Sequence, residues 1–82
     1  MLLHAALILC LTIQTPPASA RININTASAA ELQRLPSIGP ALAARIIEYR
    51  RKHGPFKRAQ DLIIVRGFSA GRFRRIAHLI TA

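Results

Sequence analysis

The sequence predicts an all-α fold, one small domain of about four to five short helices, on three observations. An internal repeat at constant offset pairs two copies of one helix, turn and helix unit. Helix-start signals open those units, and no period-2 alternation runs long enough for a sheet. In the repeat, Glu31-Leu32-x-x-Leu35-x-x-Ile38-Gly39 returns thirty residues later as Asp61-Leu62-x-x-Val65-x-x-Phe68-Ser69, and Ile46 returns as Ile76. One copy alone has nothing against which to bury its apolar faces; two facing copies cover each other.

The chain opens with a different kind of segment. Met1 to Ile13 is nearly all apolar, with Ala5-Ala6-Leu7-Ile8-Leu9-Cys10-Leu11 at its centre and no charged side chain. The run is shorter than the roughly 20 residues a membrane-spanning helix needs and suits the core of a signal peptide. Pro16-Pro17 then break a helix, and Ala18-Ser19-Ala20 has the small-x-small form that signal peptidase accepts. Residues 1–20 are therefore expected to be a signal peptide cut after Ala20, with residues 21–82 as the exported domain, periplasmic or secreted and without a membrane span. Cys10 falls in the leader, so the domain has no cysteine for a disulfide or a thiolate metal site. His53 and His78 stand without partners at ligand spacing, and no metal or cofactor is expected.

Each element of the domain has a local cause. Ser28-Ala29-Ala30-Glu31 is a capping box, so a first helix is predicted over about Ala29 to Leu35. Pro36-Ser37-Ile38-Gly39 is turn chemistry, and Pro40 suits a first helical position, where a missing N–H costs nothing. The second helix runs from Pro40 with Leu42, Ala43, Ile46 and Tyr49 on its apolar side. Arg45, Glu48 and Lys52 share the other side at helical charge spacing. Gly54-Pro55 stops it. In the second copy a short helix is predicted over about Ala59 to Val65 and a turn over Arg66 to Ala70. A last helix then carries Phe73, Ile76, Ala77 and Ile80 on one face, leaving Arg72, Arg74, Arg75 and His78 to solvent or a ligand.

Charge narrows the partners. Twelve Lys and Arg side chains oppose three acids for a net +9, and every charged side chain lies from Arg21 onward. So basic a domain suits nucleic acid or an anionic membrane surface. At this size the domain has no room for a deep substrate cavity.

Leu35-Pro36-Ser37-Ile38-Gly39-Pro40, followed by Ala43 and Ile46, resembles the helix-hairpin-helix DNA-binding motif, in which a hydrophobic residue and Pro-Gly-Ile-Gly lead into a helix. With the lead-in Ile22-Asn23-Ile24-Asn25-Thr26-Ala27 and the link His53-Gly54-Pro55-Phe56-Lys57, the stretch from Ile22 to Ile80 is similar to the ComEA family of competence DNA receptors. That resemblance implies a tandem helix-hairpin-helix fold. It also implies binding of double-stranded DNA without sequence preference and a role in drawing DNA across the envelope during natural transformation, with other components of a DNA-uptake machinery as partners.

The chemistry points the same way. A turn of small residues at a helix start lets backbone amides approach a phosphate, while nearby cations add attraction that carries no base information. The DNA-binding candidates are Pro36, Ser37, Ile38, Gly39, Ala41 and Arg45 in the first copy, and Arg66, Gly67, Ser69, Gly71, Arg72 and Arg75 in the second. Two positions depart from the motif. Ser37 replaces its first glycine, and in the second copy Ser69 replaces the second glycine while Phe68 replaces a smaller aliphatic, so the first hairpin is expected to be the stronger phosphate contact. Tyr49, Phe56, Phe68 and Phe73 all fall at core positions, leaving no aromatic set to read bases. No catalytic residue is expected: Glu31 belongs to a capping box, Asp61 is its repeat partner, and Glu48 sits among cations. The competing class is an envelope module that binds protein or anionic lipid through the same basic surface.

Overall fold

A spacing of three between buried residues decides how each copy begins. Leu32, Leu35 and Ile38 are buried, as are their repeat equivalents Leu62, Val65 and Phe68. A 3₁₀ turn, with three residues per turn, stacks such a series on one side. The computed structural model, which describes residues 20–82, winds both segments that way. In the first copy, α1 covers only Ala29–Leu32, and the chain continues through Leu35 N–H to Leu32 O and Ile38 N–H to Leu35 O, at 3.1 and 3.2 Å. In the second, a 3₁₀ helix spans Ala59–Ile64, followed by Val65 N–H to Leu62 O and Phe68 N–H to Val65 O, both 3.0 Å. The first helix is thus shorter than the Ala29 to Leu35 expected, because tightening satisfies the backbone while keeping all three apolar residues inside.

The caps follow the sequence. Ser28 Oγ accepts from Glu31 N–H at 3.1 Å, and Ser28 N–H donates to Glu31 Oε1 at 2.9 Å. Donation to its carboxylate from Ser28, by the backbone N–H first and the hydroxyl second, lowers the pKa of the Glu31 carboxyl from its ordinary value. Asp61 accepts from the Arg58 amide at 3.3 Å and pairs with its guanidinium at 3.1 Å.

Helix α2, Pro40–His53, buries Leu42, Ala43 and Ile46, half-buries Tyr49, and stops at Gly54, whose φ of 86° favours glycine. On its outer side Glu48 pairs with Arg51 and, at 3.4 Å, with Lys52. The last long helix, α3, covers Ala70–Ile76 and begins at Ser69, whose Oγ accepts from Arg72 N–H at 3.1 Å. Ser69→Ala is therefore expected to lower unfolding free energy by about 1 kcal/mol, as measured by urea melts. An unchanged midpoint would mean that this cap contributes nothing.

The apolar stripe predicted to run helically to Ile80 ends differently. After Ile76 the chain tightens to a 3₁₀ turn, Ala77–Leu79, and Ile80–Thr81 forms a strand, β2, parallel to β1 at Ile22–Asn23. Ile80 is still buried, at 2% exposure. What the helical pattern misses is that the N-terminal segment offers it a partner: Ile22 faces Ile80, Asn23 faces Thr81, and Ile24 N–H reaches Thr81 O at 2.9 Å. Two residues per strand leave the domain all-α in class, with a clasp joining its ends.

A second clasp fixes the linker between copies. Asn25 acts like a strand residue, taking the Phe56 N–H at 2.7 Å and donating to Phe56 O at 3.0 Å. Arg50 donates to Ile24 O at 2.9 Å. These bonds draw Phe56 into the core that Ile24, Leu32, Ile46, Leu62 and Ile76 fill without exposure. The expected signal peptide, residues 1–20, lies outside the described residues except for Ala20. Among the described residues no helix is long and apolar enough to cross a membrane.

Candidate nucleic-acid interface

Each hairpin turns through one left-handed residue. Ser37 at φ 70° and Gly67 at φ 91° are repeat equivalents. That conformation costs a side-chain-bearing residue roughly 1–2 kcal/mol and glycine almost nothing, so Ser37 is held where glycine would be easier. At Gly67 space matters too. A Cβ there would stand 2.6 Å from Arg45 Nη1 and 3.4 Å from Leu42 Cδ1.

The residues that start the two long helices need no glycine for their backbones. Gly39 and Ser69 are both extended, at φ −95° and −114°. What differs is what they leave open. No heavy atom lies within 4 Å of where a Gly39 Cβ would stand. Gly39 supplies no side-chain cap and Pro40 has no N–H, so the amides of Ala41 and Leu42 lack helical partners; the first helical bond is Ala43 N–H to Gly39 O, at 3.0 Å. In α3 the amide equivalent to that of Leu42 belongs to Arg72, and Ser69 Oγ already takes it. The first hairpin presents the more open donors.

The hairpins also hold each other. Arg45 of α2 donates through Nη1 to Arg66 O in the second turn, at 3.3 Å. Arg72 of α3 donates through Nη1 to Ser37 O in the first turn, at 2.6 Å. Sequence spacing groups Arg45 with Glu48 and leaves Arg72 to solvent or a ligand; in the fold both guanidinium groups bind backbone carbonyls across the repeat. Among the described residues the side chains of Lys57, Arg66, Arg74 and Arg75 stay exposed and enter no hydrogen bond or ion pair.

Six of the twelve candidates, Ser37, Gly39, Ala41, Arg45, Gly67 and Arg72, line one shallow groove together with Pro40 and Leu42. Neither Pro40 nor Leu42 has a side chain that donates, so residue chemistry overlooks them. The available signal was positional, a proline at the first turn of a helix with no side-chain cap. Arg66 lines an adjacent depression with Arg45, Tyr49, Lys52 and His53. Pro36, Ser69, Gly71 and Arg75 lie outside both, and the Ile38 side chain is buried at 4% exposure, leaving only its backbone for a ligand. A Gly71 Cβ would meet nothing closer than 3.9 Å, so glycine is not required there.

Two hairpins of this geometry, joined by a shared core, define the class: the chain belongs to the helix-hairpin-helix family, whose motif matches residues 17–81. The resemblance to ComEA has a counterpart among its relatives. ComE operon protein 1 of Bacillus subtilis is 40% identical over 62 residues, covering 76% of this chain and 30% of that protein. The rat endonuclease/exonuclease/phosphatase family domain-containing protein 1 is 40% identical over 68 residues, covering 83% of this chain and 12% of its own length. An uncharacterized protein of Haemophilus influenzae is 47% identical over 57 residues, covering 66% of this chain and 51% of its own. The chain thus spans between 12% and 51% of the length of these relatives.

Proposed function

We propose that this chain is an exported, non-enzymatic module that binds double-stranded DNA without reading its sequence and serves DNA uptake across the envelope during natural transformation. The observation that carries the reading is the first hairpin, where unbonded amides behind a side-chain-free Gly39 open into a groove with cations beside it. Those donors fit a phosphate, a contact that carries no base information. The relation to ComE operon protein 1 supports the uptake role, and the apolar leader ending in Ala18-Ser19-Ala20 supports export. Other components of an uptake machinery are its proposed partners. Binding alone, rather than catalysis, is supported by the acids: Glu31, Glu48 and Asp61 are each held by a cap or by neighbouring cations.

A second reading, an anionic-lipid surface module, has Ile63 and Ile64 in its favour, exposed at 47% and 59%, with the exposed Arg66 close by in the chain. One variant separates the two. Gly39→Val puts a side chain between the amides and an incoming phosphate without forcing the backbone, and should weaken gel-shift affinity about tenfold, the effect of losing charge-assisted bonds. Unrelated duplexes should suffer alike, and the melting temperature should change little. Lipid binding follows total charge, so anionic vesicles should not distinguish Gly39→Val from wild type. Equal duplex affinity of the two proteins would refute the hairpin site.

A further inference from the structure

The repeat relation that pairs Ser37 with Gly67 also pairs Leu42 with Arg72. At each of these helix positions the side chain crosses to the other copy's left-handed turn residue. Leu42 Cδ1 lies 3.4 Å from where a Gly67 Cβ would stand, and Arg72 Nη1 donates to Ser37 O at 2.6 Å. The two contacts are repeat equivalents with different chemistry. Where the turn residue is glycine, this position is apolar, and the arginine that reaches the turn, Arg45, bonds at 3.3 Å to the preceding carbonyl, that of Arg66, and not to the glycine's own. Where it is serine at φ 70°, a conformation a side chain resists, the opposing residue is an arginine whose charge-assisted hydrogen bond falls on that residue's own carbonyl.

We propose that Arg72 is a positioning residue: its bond to the Ser37 carbonyl holds the first hairpin in the left-handed turn that presents its amides, so that Arg72 acts on DNA through that turn and not by neutralising a phosphate. This rests on the DNA-binding reading above for its consequence, but the bond itself belongs to the folded chain. A guanidinium engaged by a carbonyl at 2.6 Å is oriented by it, and its partner, the turn backbone, loses the freedom to leave the strained conformation. Arg75, the repeat equivalent of Arg45, makes no matching bond and is exposed, so charge alone does not place Arg72 as it stands.

The coupling predicts a rescue. In the full chain, Arg72→Gln should weaken duplex binding about tenfold, the equivalent of one charge-assisted bond. Arg72→Lys should behave similarly, because lysine keeps the charge but ends one bond short and cannot offer the planar fork. Adding Ser37→Gly to Arg72→Gln should restore most of the affinity, since glycine holds the turn unaided, and the rescued protein should keep the wild-type salt slope. Full activity of Arg72→Lys, no rescue by Ser37→Gly, or a rescued slope lower by about 0.9, the share of one phosphate, would each overturn the proposal. A DNA-free measurement separates this from the binding reading. Ser37→Gly should raise the melting temperature more in the Arg72→Gln background than in wild type, and equal shifts would refute the coupling. If wild type itself fails to bind duplex, the DNA reading falls while the melts still decide whether Arg72 holds the turn.

Discussion

Raising the salt from 50 to 200 mM should weaken binding to duplex DNA by about 150- to 2,000-fold. The number follows from counting contacts. Four exposed cations, Lys57, Arg66, Arg74 and Arg75, are without partners among the described residues, and the two hairpins add backbone donors. Four to six phosphates are within the reach of such a set. Each neutralised phosphate releases counterions and contributes roughly −0.9 to the log–log slope, giving about −3.6 to −5.4. The remaining cations cannot all be added. Arg21 is already engaged, Arg34 interacts with Glu31, Arg51 and Lys52 pair with Glu48, Arg58 pairs with Asp61, and Arg45, Arg50 and Arg72 bind backbone carbonyls. A slope near −10 would show that these bonds open on DNA, and a flat response would remove the phosphate mechanism altogether. Titration by fluorescence anisotropy at four salt concentrations, with two unrelated duplexes, measures the slope and the absence of sequence preference together.

Net charge alone would have overstated that slope, which shows where the sequence is informative and where it is not. The Ser28 capping box, the Gly54 stop and the buried aliphatic series could be read directly, because each depends on residues within four positions of one another, and the repeat emerged from matching two such local patterns thirty residues apart. The turn position shared by Ser37 and Gly67 could be aligned, but not its left-handed angle at Ser37, since serine has no local preference for it. Long-range polar contacts were hidden for a different reason. Asn25 bonds to Phe56 and Arg72 to Ser37 across separations of 31 and 35 residues, and an asparagine or arginine on a surface carries no mark of the carbonyl it will find. The same holds for Ile80. Its burial was readable from helical spacing, whereas its strand conformation depended on Ile22, at the far end of the domain.

The largest stability effect should come from Ile46→Ala. Ile46 is fully buried, sits midway along α2, and shares the closed centre of the core with Leu32, Leu62 and its repeat equivalent Ile76. Truncation removes apolar contact from both copies at once and leaves a void that short, capped segments on either side cannot collapse to fill; such changes cost about 2–5 kcal/mol. A domain of this size holds only about 3–9 kcal/mol in all, at the usual stability per residue. The variant should therefore lose from about a quarter to all of its stability, and duplex binding at 37 °C should fall with the folded fraction, unlike Gly39→Val, which leaves the fold in place. Ile64→Ala, at a side chain 59% exposed, is the control and should change little. Urea melts of the three variants decide the matter: a loss below about 1 kcal/mol at Ile46 would fall outside the range for buried truncations and would mean that the two copies do not share one core.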